Sequence, residues 1–481
     1  MLRKLLKLFF ISAVLVALIG CEAYAGGLAL SGVGGRAISM GGAFRGVADD
    51  WSACYWNPAG LATFEESELN ATLTVITPRS EYTPDITLSG YDVLGYKNGT
   101  KWYTKDKDFV FPSFSGFFRL PNFKGWTLGV GMYVPFGTGA EWDIMDLPAG
   151  YDLNDVYPEL NHRSDFYVLD IHPTISRELV EDKLYFGLGA SIQKGDIRLR
   201  QTSWSFISTE LPDNHNKLYT DSDLNGDGWG VGGNAGFLFK MNDRLTVGLA
   251  YRSPVTIKLE GTADLYTYTP YDTILARYLY NQGTATDSAT ALLFQGAVYT
   301  ASPSAEADLK LPADYGIGIS YQFSEKLKLA FDVNYTDWAR LDYVPIDLAG
   351  NHPLPIFSNI EDDTIYTEWE STVRFSLGLE YIYSEKLAFR LGYFNDPSPI
   401  PDETFTPTIP DIGNKNSFNA GFGYDLGTIR IDYNFEYIKF SERNIPASGY
   451  TDANNDGEYD NHPGVYNMDL FASFISITHR F

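Results

Sequence analysis

Residues 324–335 read SEKLKLAFDVNY, and residues 384–393 read SEKLAFRLGY. In each, a short polar turn leads into a row in which apolar and polar residues alternate. Successive side chains of an extended strand point to opposite faces, so such a row has one greasy face and one polar face. After the first turn, Leu327, Leu329, Phe331, Val333 and Tyr335 alternate with Lys328, Ala330, Asp332 and Asn334. Near the end of the chain, Ile429, Ile431, Tyr433, Phe435 and Tyr437 alternate with Arg430, Asp432, Asn434 and Glu436.

Working outward, the same kind of turn recurs as PNFKGW from 121, VEDKL from 180, MNDRL from 241 and DLGTI from 425. Long polar connections lie between the hairpins. The periodicity predicts strands near 67–79, 111–120, 126–136, 165–178, 184–200, 229–241, 245–260, 306–323, 327–343, 367–383, 387–396, 415–425, 429–442 and 467–481. These fourteen give an even number, as an up-and-down barrel with both ends on one side requires. A soluble sandwich also alternates. It would not need connections that run short then long, aromatic residues near the strand ends of the greasy face, or a charged opposite face. The expected class is all-β: a 14-stranded antiparallel transmembrane β-barrel, with short turns in the periplasm and long acidic loops outside.

Bulk composition agrees. The 481 residues are 44% hydrophobic and include 45 Gly, 33 Tyr and 31 Phe, enough for a large folded unit. A net charge of −25 without clustered Lys and Arg excludes a nucleic-acid partner. Residues 1–25 read as a signal peptide: Arg3, Lys4 and Lys7, an apolar run from Leu8 to Ile19, and Ala23-Tyr24-Ala25 as the cleavage site. Leu18-Ile19-Gly20-Cys21 offers a rival, lipoprotein-type cut. Cleavage after Ala25 leaves Cys54 without a disulfide partner. No apolar run after Ile19 reaches the ~18 residues of a membrane helix, so any span is made by strands.

The glycine-rich stretch 26–60 shows no period-two row, and a fourteen-stranded barrel is too wide for its own side chains to fill. Residues 26–66 are therefore expected to form a plug, with Asn57-Pro58 as a rigid turn into the barrel of 67–481.

SGVGGRAISMGGAFRGVADDWSACYWNPAGLA, residues 31–62, resembles the N-terminal hatch of the FadL and TodX family of outer-membrane transporters, including its motif Asn57, Pro58, Ala59. WGVGGNAGFLF from 229, YRSPV from 251, YTDW from 335 and DPSPIPDETFTPTIPD at 396–411 extend the likeness over essentially all of 26–481. The resemblance implies passive uptake of long-chain fatty acids, hydrocarbons or aromatics. It also implies an inner pocket touching the hatch tip, here Gly26, Gly27 and Leu28, and a kinked third strand opening sideways to lipid. In MYVPFGTGAEW, residues 132–142, Pro135, Phe136 and Gly137 sit where that exit belongs.

In the long 261–305 connection, Ile274, Leu275, Tyr278 and Leu279, then Leu292, Leu293 and Val298, read as short amphipathic helices that either pack together or capture ligand. For a fatty-acid carboxylate the candidates are Arg198 and Arg200, near where fatty-acid members carry an arginine. Those members also have a basic residue in the loop that here reads NIEDDTIYTEWE, 359–370, which contains none. That departure leaves neutral ligands open, with Arg374 or Lys310 as possible compensation.

DANNDGEYD places Asp452, Asn454, Asp456, Glu458 and Asp460 like half a calcium loop, but its twelfth position is Pro463 rather than Glu. DSDLNGDG at 221–228 is similar. Ca2+ in outer loops would be the sole cofactor. No G-x-S-x-G, H-E-x-x-H or phosphate loop occurs, and His172 with Ser176 on one inner face is a weak hydrolase signal, so no enzyme is expected. FISITHRF, ending at Phe481, looks like the aromatic end signal read by the barrel assembly machinery. The expected partners are that machinery, outer-membrane lipid and a hydrophobic small molecule, with the chain a monomer. A plugged adhesin-like or structural barrel is the competing reading.

Overall fold

The computed structural model describes residues 26–86, 95–120, 123, 125–151, 160–207, 216–281, 293–354, 359–449, 451–452 and 460–481. The signal sequence, Leu292 and the centre of the 452–460 run, with Asn454, Asp456 and Glu458, lie outside these residues.

Fourteen antiparallel strands form a closed barrel. They are β1 (Glu68–Pro84), β2 (Phe109–Arg119), β3 (Trp126–Trp142), β4 (His162–Val180), β5 (Leu184–Phe206), β6 (Lys217–Asn242), β7 (Leu245–Arg252 and Val255–Tyr268) and β8 (Ser304–Leu311 and Asp314–Ser324). β9 (Leu327–Thr336, then Tyr343–Ala349), β10 (Asp363–Tyr366, then Thr372–Ile382), β11 (Leu387–Asp396), β12 (Lys415–Asp425), β13 (Ile429–Phe440) and β14 (Gly464–Arg480) complete it. Closure is direct: β1 pairs along its whole length with β14, from Glu68↔Arg480 to Pro84↔Gly464. Every predicted strand is present.

The barrel is inside out relative to a soluble protein. On β13, Asp432, Asn434 and Glu436 are buried, while Ile429 and Phe435 are 40% and 42% exposed. On β9, Asp332 and Asn334 are buried and Tyr335 is exposed. Greasy rows facing outward around a polar lumen belong in a bilayer.

Three expectations are corrected. β5 and β6 run on as a paired ribbon to Phe206↔Lys217, so much of the expected 201–228 loop is strand. This ribbon carries cross-strand charge pairs instead of a greasy row, and periodicity of hydrophobicity therefore misses it. DSDLNGDG is part of it, and its aspartates pair with Arg200, Arg198 and Lys194 instead of forming a calcium loop. Val298 likewise lies in a short strand, Val298–Ala301, paired with Leu265–Tyr268, and not in a helix.

The segment 26–66 is mostly buried and touches strands on several sides of the barrel. Close approaches run from Gly35 against Phe474 and Ser476 to Gly46 against Gly318 and Asn57 against Gly236. Three short helices, α1 (Gly35–Ser39), α2 (Ala53–Trp56) and the 3-10 turn Pro58–Thr63, shape it.

Candidate functional site: an apolar cavity, an N-terminal tip and a gap in the wall

The Asn57 amide ties the N-terminal segment to the wall. Its nitrogen donates to the carbonyls of Arg45 at 2.9 Å and Phe237 at 3.0 Å, and its oxygen accepts from the Ala59 N–H at 3.2 Å. Pro58 opens the 3-10 turn, where its missing N–H costs nothing. Asp332 on β9 accepts from the N–H groups of Phe44 and Arg45, and Asn234 on β6 donates to the Cys54 carbonyl at 2.7 Å. Arg36 bridges Asp49 and Glu380, and Glu380 in turn meets Arg390 at 2.6 Å. Burial works to raise the Asp49 carboxyl, but the Arg36 and Lys328 charges win and hold it well below the usual carboxylate range.

The tip of the segment runs along the kink in β3. Leu30 N–H donates to the Pro135 carbonyl at 3.1 Å, Gly137 N–H donates to the Leu28 carbonyl at 2.9 Å, and Ala29 bridges Phe136. At Pro135 the register between β3 and β4 shifts, because proline has no N–H to give the ladder.

The pairing of β2 with β3 runs from Arg119↔Thr127 only as far as Phe114↔Met132. Beyond it, Phe109–Ser113 pair with β1 but not with β3. Pro112 and Pro135 flank this gap, and neither can donate. Across it the Phe109 and Phe111 rings lie over Gly139 and Gly137. A cleft of about 80 Å³ opens there, lined by Ile76, Phe109, Phe111, Gly137, Ile438, Met468 and, at its polar corner, Asp396, Asp411 and Lys415.

On the other side of Leu28 is a cavity of about 160 Å³, lined by Leu28, Phe166, Ile197, Leu259, Leu309, Ile346, Trp369 and Ile409 among others. Thr138 borders both spaces. Breaks in β9 and β10 carry Trp338 and Trp369 inward, edge to face at 5.1 Å, against Gly27, where any side chain would strike them. Toward the long-loop end a more polar cavity of about 130 Å³ shares Gln201, Thr367, Trp369, Thr406 and Ile409 with the apolar one. Three spaces thus follow one another from the loops to the gap in the wall.

Of the residues singled out from sequence, Leu28 and Arg198 border the apolar cavity, Gly27 and Gly137 border the cleft, and Gly26 and Phe136 border a small polar pocket between them. The two arginines are spoken for. Arg198 makes a two-pronged pair with Asp223 at 2.9 and 2.5 Å, and Arg200 meets Asp221 at 2.7 Å. Arg374 donates to the carbonyls of Ser31 and Gly41, and the Lys310 ammonium lies over the Tyr343 ring. Ile274, Leu275 and Tyr278 occupy a helix, Thr273–Asn281, with Ile274 83% exposed; with Leu293, they border none of these spaces. His172 donates or accepts at Asp170 and Asn234, so its inner-face neighbour Ser176 is not part of a nucleophile relay. Among the described residues no cluster of three acidic, His or Cys side chains could hold a metal ion. Asp396, Asp411, Lys415 and the two tryptophans were not singled out as a site, although the first two bound the proline-rich motif.

The family model of the outer membrane protein transport proteins (OMPP1/FadL/TodX) matches residues 16–474. The long-chain fatty acid transport protein of Escherichia coli K12 is 25% identical over 455 residues, covering 86% of this chain and 90% of the relative. The crystal structure of a Pseudomonas aeruginosa FadL homologue superposes with a TM-score of 0.73 at 20% identity, over 95% of this chain and all of that one. That of the Pseudomonas putida toluene transporter TodX gives 0.70 at 18% identity, over 94% and 99%. With the match spanning nearly the whole barrel, the chain belongs to the OMPP1/FadL/TodX family of outer-membrane transport proteins.

Proposed function

We propose that this protein takes up hydrophobic molecules across the outer membrane, and that they leave sideways through the gap between β2 and β3. Segment 26–66 acts as the hatch, the long-loop end faces outward, and the loops deliver ligand through the polar cavity to the apolar one. The observation that carries this reading is the unpaired edge over Phe109–Ser113, lying one residue, Thr138, from the apolar cavity. A hydrocarbon gains roughly 0.8 kcal/mol per buried CH2, so an apolar route ending in lipid is downhill throughout, while a watery pore offers it nothing.

The same geometry favours an uncharged ligand. A carboxylate in the apolar cavity needs a cationic donor, and the nearest arginine there already holds Asp223. Among the relatives, the toluene transporter is the nearer guide to substrate and the fatty acid transport protein the further one.

The test is Thr138→Trp, which fills the junction between cavity and cleft. Uptake of labelled toluene and of oleate is measured in a strain without its own transporter. Loss of toluene uptake with the barrel still folded is expected, and undiminished uptake would refute lateral exit. Oleate uptake equal to or above toluene uptake in the unmutated protein would refute the preference for uncharged ligands.

A further inference from the structure

The tip of the N-terminal segment ends among buried charges. Gly26 is buried, and any side chain on it would strike the Asp411 carboxylate and the Lys415 ammonium. One Asp411 oxygen accepts the Gly27 N–H. The other, Oδ1, is buried and lies 3.3 Å from Lys415 Nζ without making a hydrogen bond. Asp396 faces the same space, 7% exposed, and its Arg374 neighbour is 3.9 Å away with its donors turned to the Ser31 and Gly41 carbonyls. Glu436, fully buried, accepts from Ser417 and also faces Arg374.

Around the tip stand Asp396 and Asp411 with Arg374 and Lys415. Nearby, Arg45 and Arg252 face Asp314 and Asp332, and Arg443 faces Asp402 and, farther off, Asp411. One hydrogen-bond donor is missing, at Asp411 Oδ1, and a buried carboxylate oxygen left without one is strongly unfavourable.

We infer that the α-ammonium created by cleavage after Ala25 supplies it, and that Asp411 with Asp396 is a binding site for the chain's own mature N-terminus. The inference rests on that cleavage position. The Gly26 nitrogen is one bond from the α-carbon whose side-chain position falls against Asp411 Oδ2, so an ammonium there lies beside the carboxylate whose Oδ1 has no donor. The ion pair then fastens the tip whose Leu28 lines the apolar cavity.

The experiment is reductive methylation of the purified, folded full-length mature protein in detergent, with peptide mass spectrometry reading the Gly26 amine. Protection of at least about tenfold relative to the same protein unfolded in urea is expected, since labelling requires local opening. Asp411→Asn, which keeps shape but removes charge, should abolish most of that protection, and Asp396→Asn should reduce it in a barrel that still migrates as folded. Three results would overturn the proposal: an amine as reactive in the folded as in the unfolded protein, unchanged protection in both Asn variants, or an intact mass showing a chain that does not begin at Gly26. The last bears on the processing step alone and leaves the transport reading untouched.

Discussion

Neighbouring residues on β9 should respond to substitution in opposite ways to those of a soluble core. Phe331 lies four residues into the ten-residue stretch Leu327–Thr336, on the outward face. At about 3.4 Å per residue, it sits some 14 Å along the strand, and a tilt of about 40° brings that to roughly 10 Å of height, near the middle of an apolar belt about 25 Å tall. Phe331→Arg should therefore cost roughly 2–4 kcal/mol. Asp332 points inward, where it accepts the Phe44 and Arg45 N–H groups at 3.0 and 2.8 Å. Asp332→Leu would strand two buried donors, at about 1–3 kcal/mol each, although it makes the buried face greasier. Denaturant unfolding in lipid vesicles, followed by tryptophan fluorescence and gel mobility, reads the first. Hydrogen exchange at residues 40–48 reads the second. A tolerated Arg at 331 together with stabilisation by Leu at 332 would mean the greasy face is the interior, and the reasoning would fail.

Asn57→Ala should loosen the N-terminal segment by about 2–5 kcal/mol, because two carbonyls and one N–H lose their partner in a dry site; faster exchange at Arg45–Ala48 with unchanged barrel strands is the expected pattern. Asp223→Asn releases Arg198 beside the apolar cavity, and competition uptake assays should then show fatty acid gaining on toluene. His462 in the long-loop end is pushed down to about 3 by burial, with a smaller push from His162. Its folded value lies below its unfolded one, so the unfolded form binds the extra proton and loop packing should weaken as pH falls from about 6.5 toward 3. His462→Phe should flatten that part of the profile in proteolysis of the loops.

The strands were legible because the membrane imposes a simple rule: residues such as Leu327, Leu329 and Phe331 must alternate with whatever faces the lumen. The ribbon 201–206 with 217–228 was not, since Asp221, Asp223 and Asp227 face basic partners on the next strand and carry no hydrophobic period. The β3 kink was visible as Pro135 beside Gly137. The gap it creates depends equally on Pro112, and proline positions on two strands do not reveal that they face one opening. The arginines at 198 and 200 were found as charges, but their aspartate partners come from the neighbouring strand, a relation only the register supplies. Asp411 and Lys415 were hidden for a similar reason: what they surround is the buried Gly26, nearly four hundred residues away in the chain.

The most direct test is a crystal structure grown with a brominated alkylbenzene. Anomalous peaks inside the space bounded by Leu28, Phe166, Leu259 and Trp369, with a further peak between Phe109 and Gly139, are the predicted result. Bromine found only against the Thr273–Asn281 helix or along the polar lumen wall, with both of those spaces empty, would contradict the sideways route.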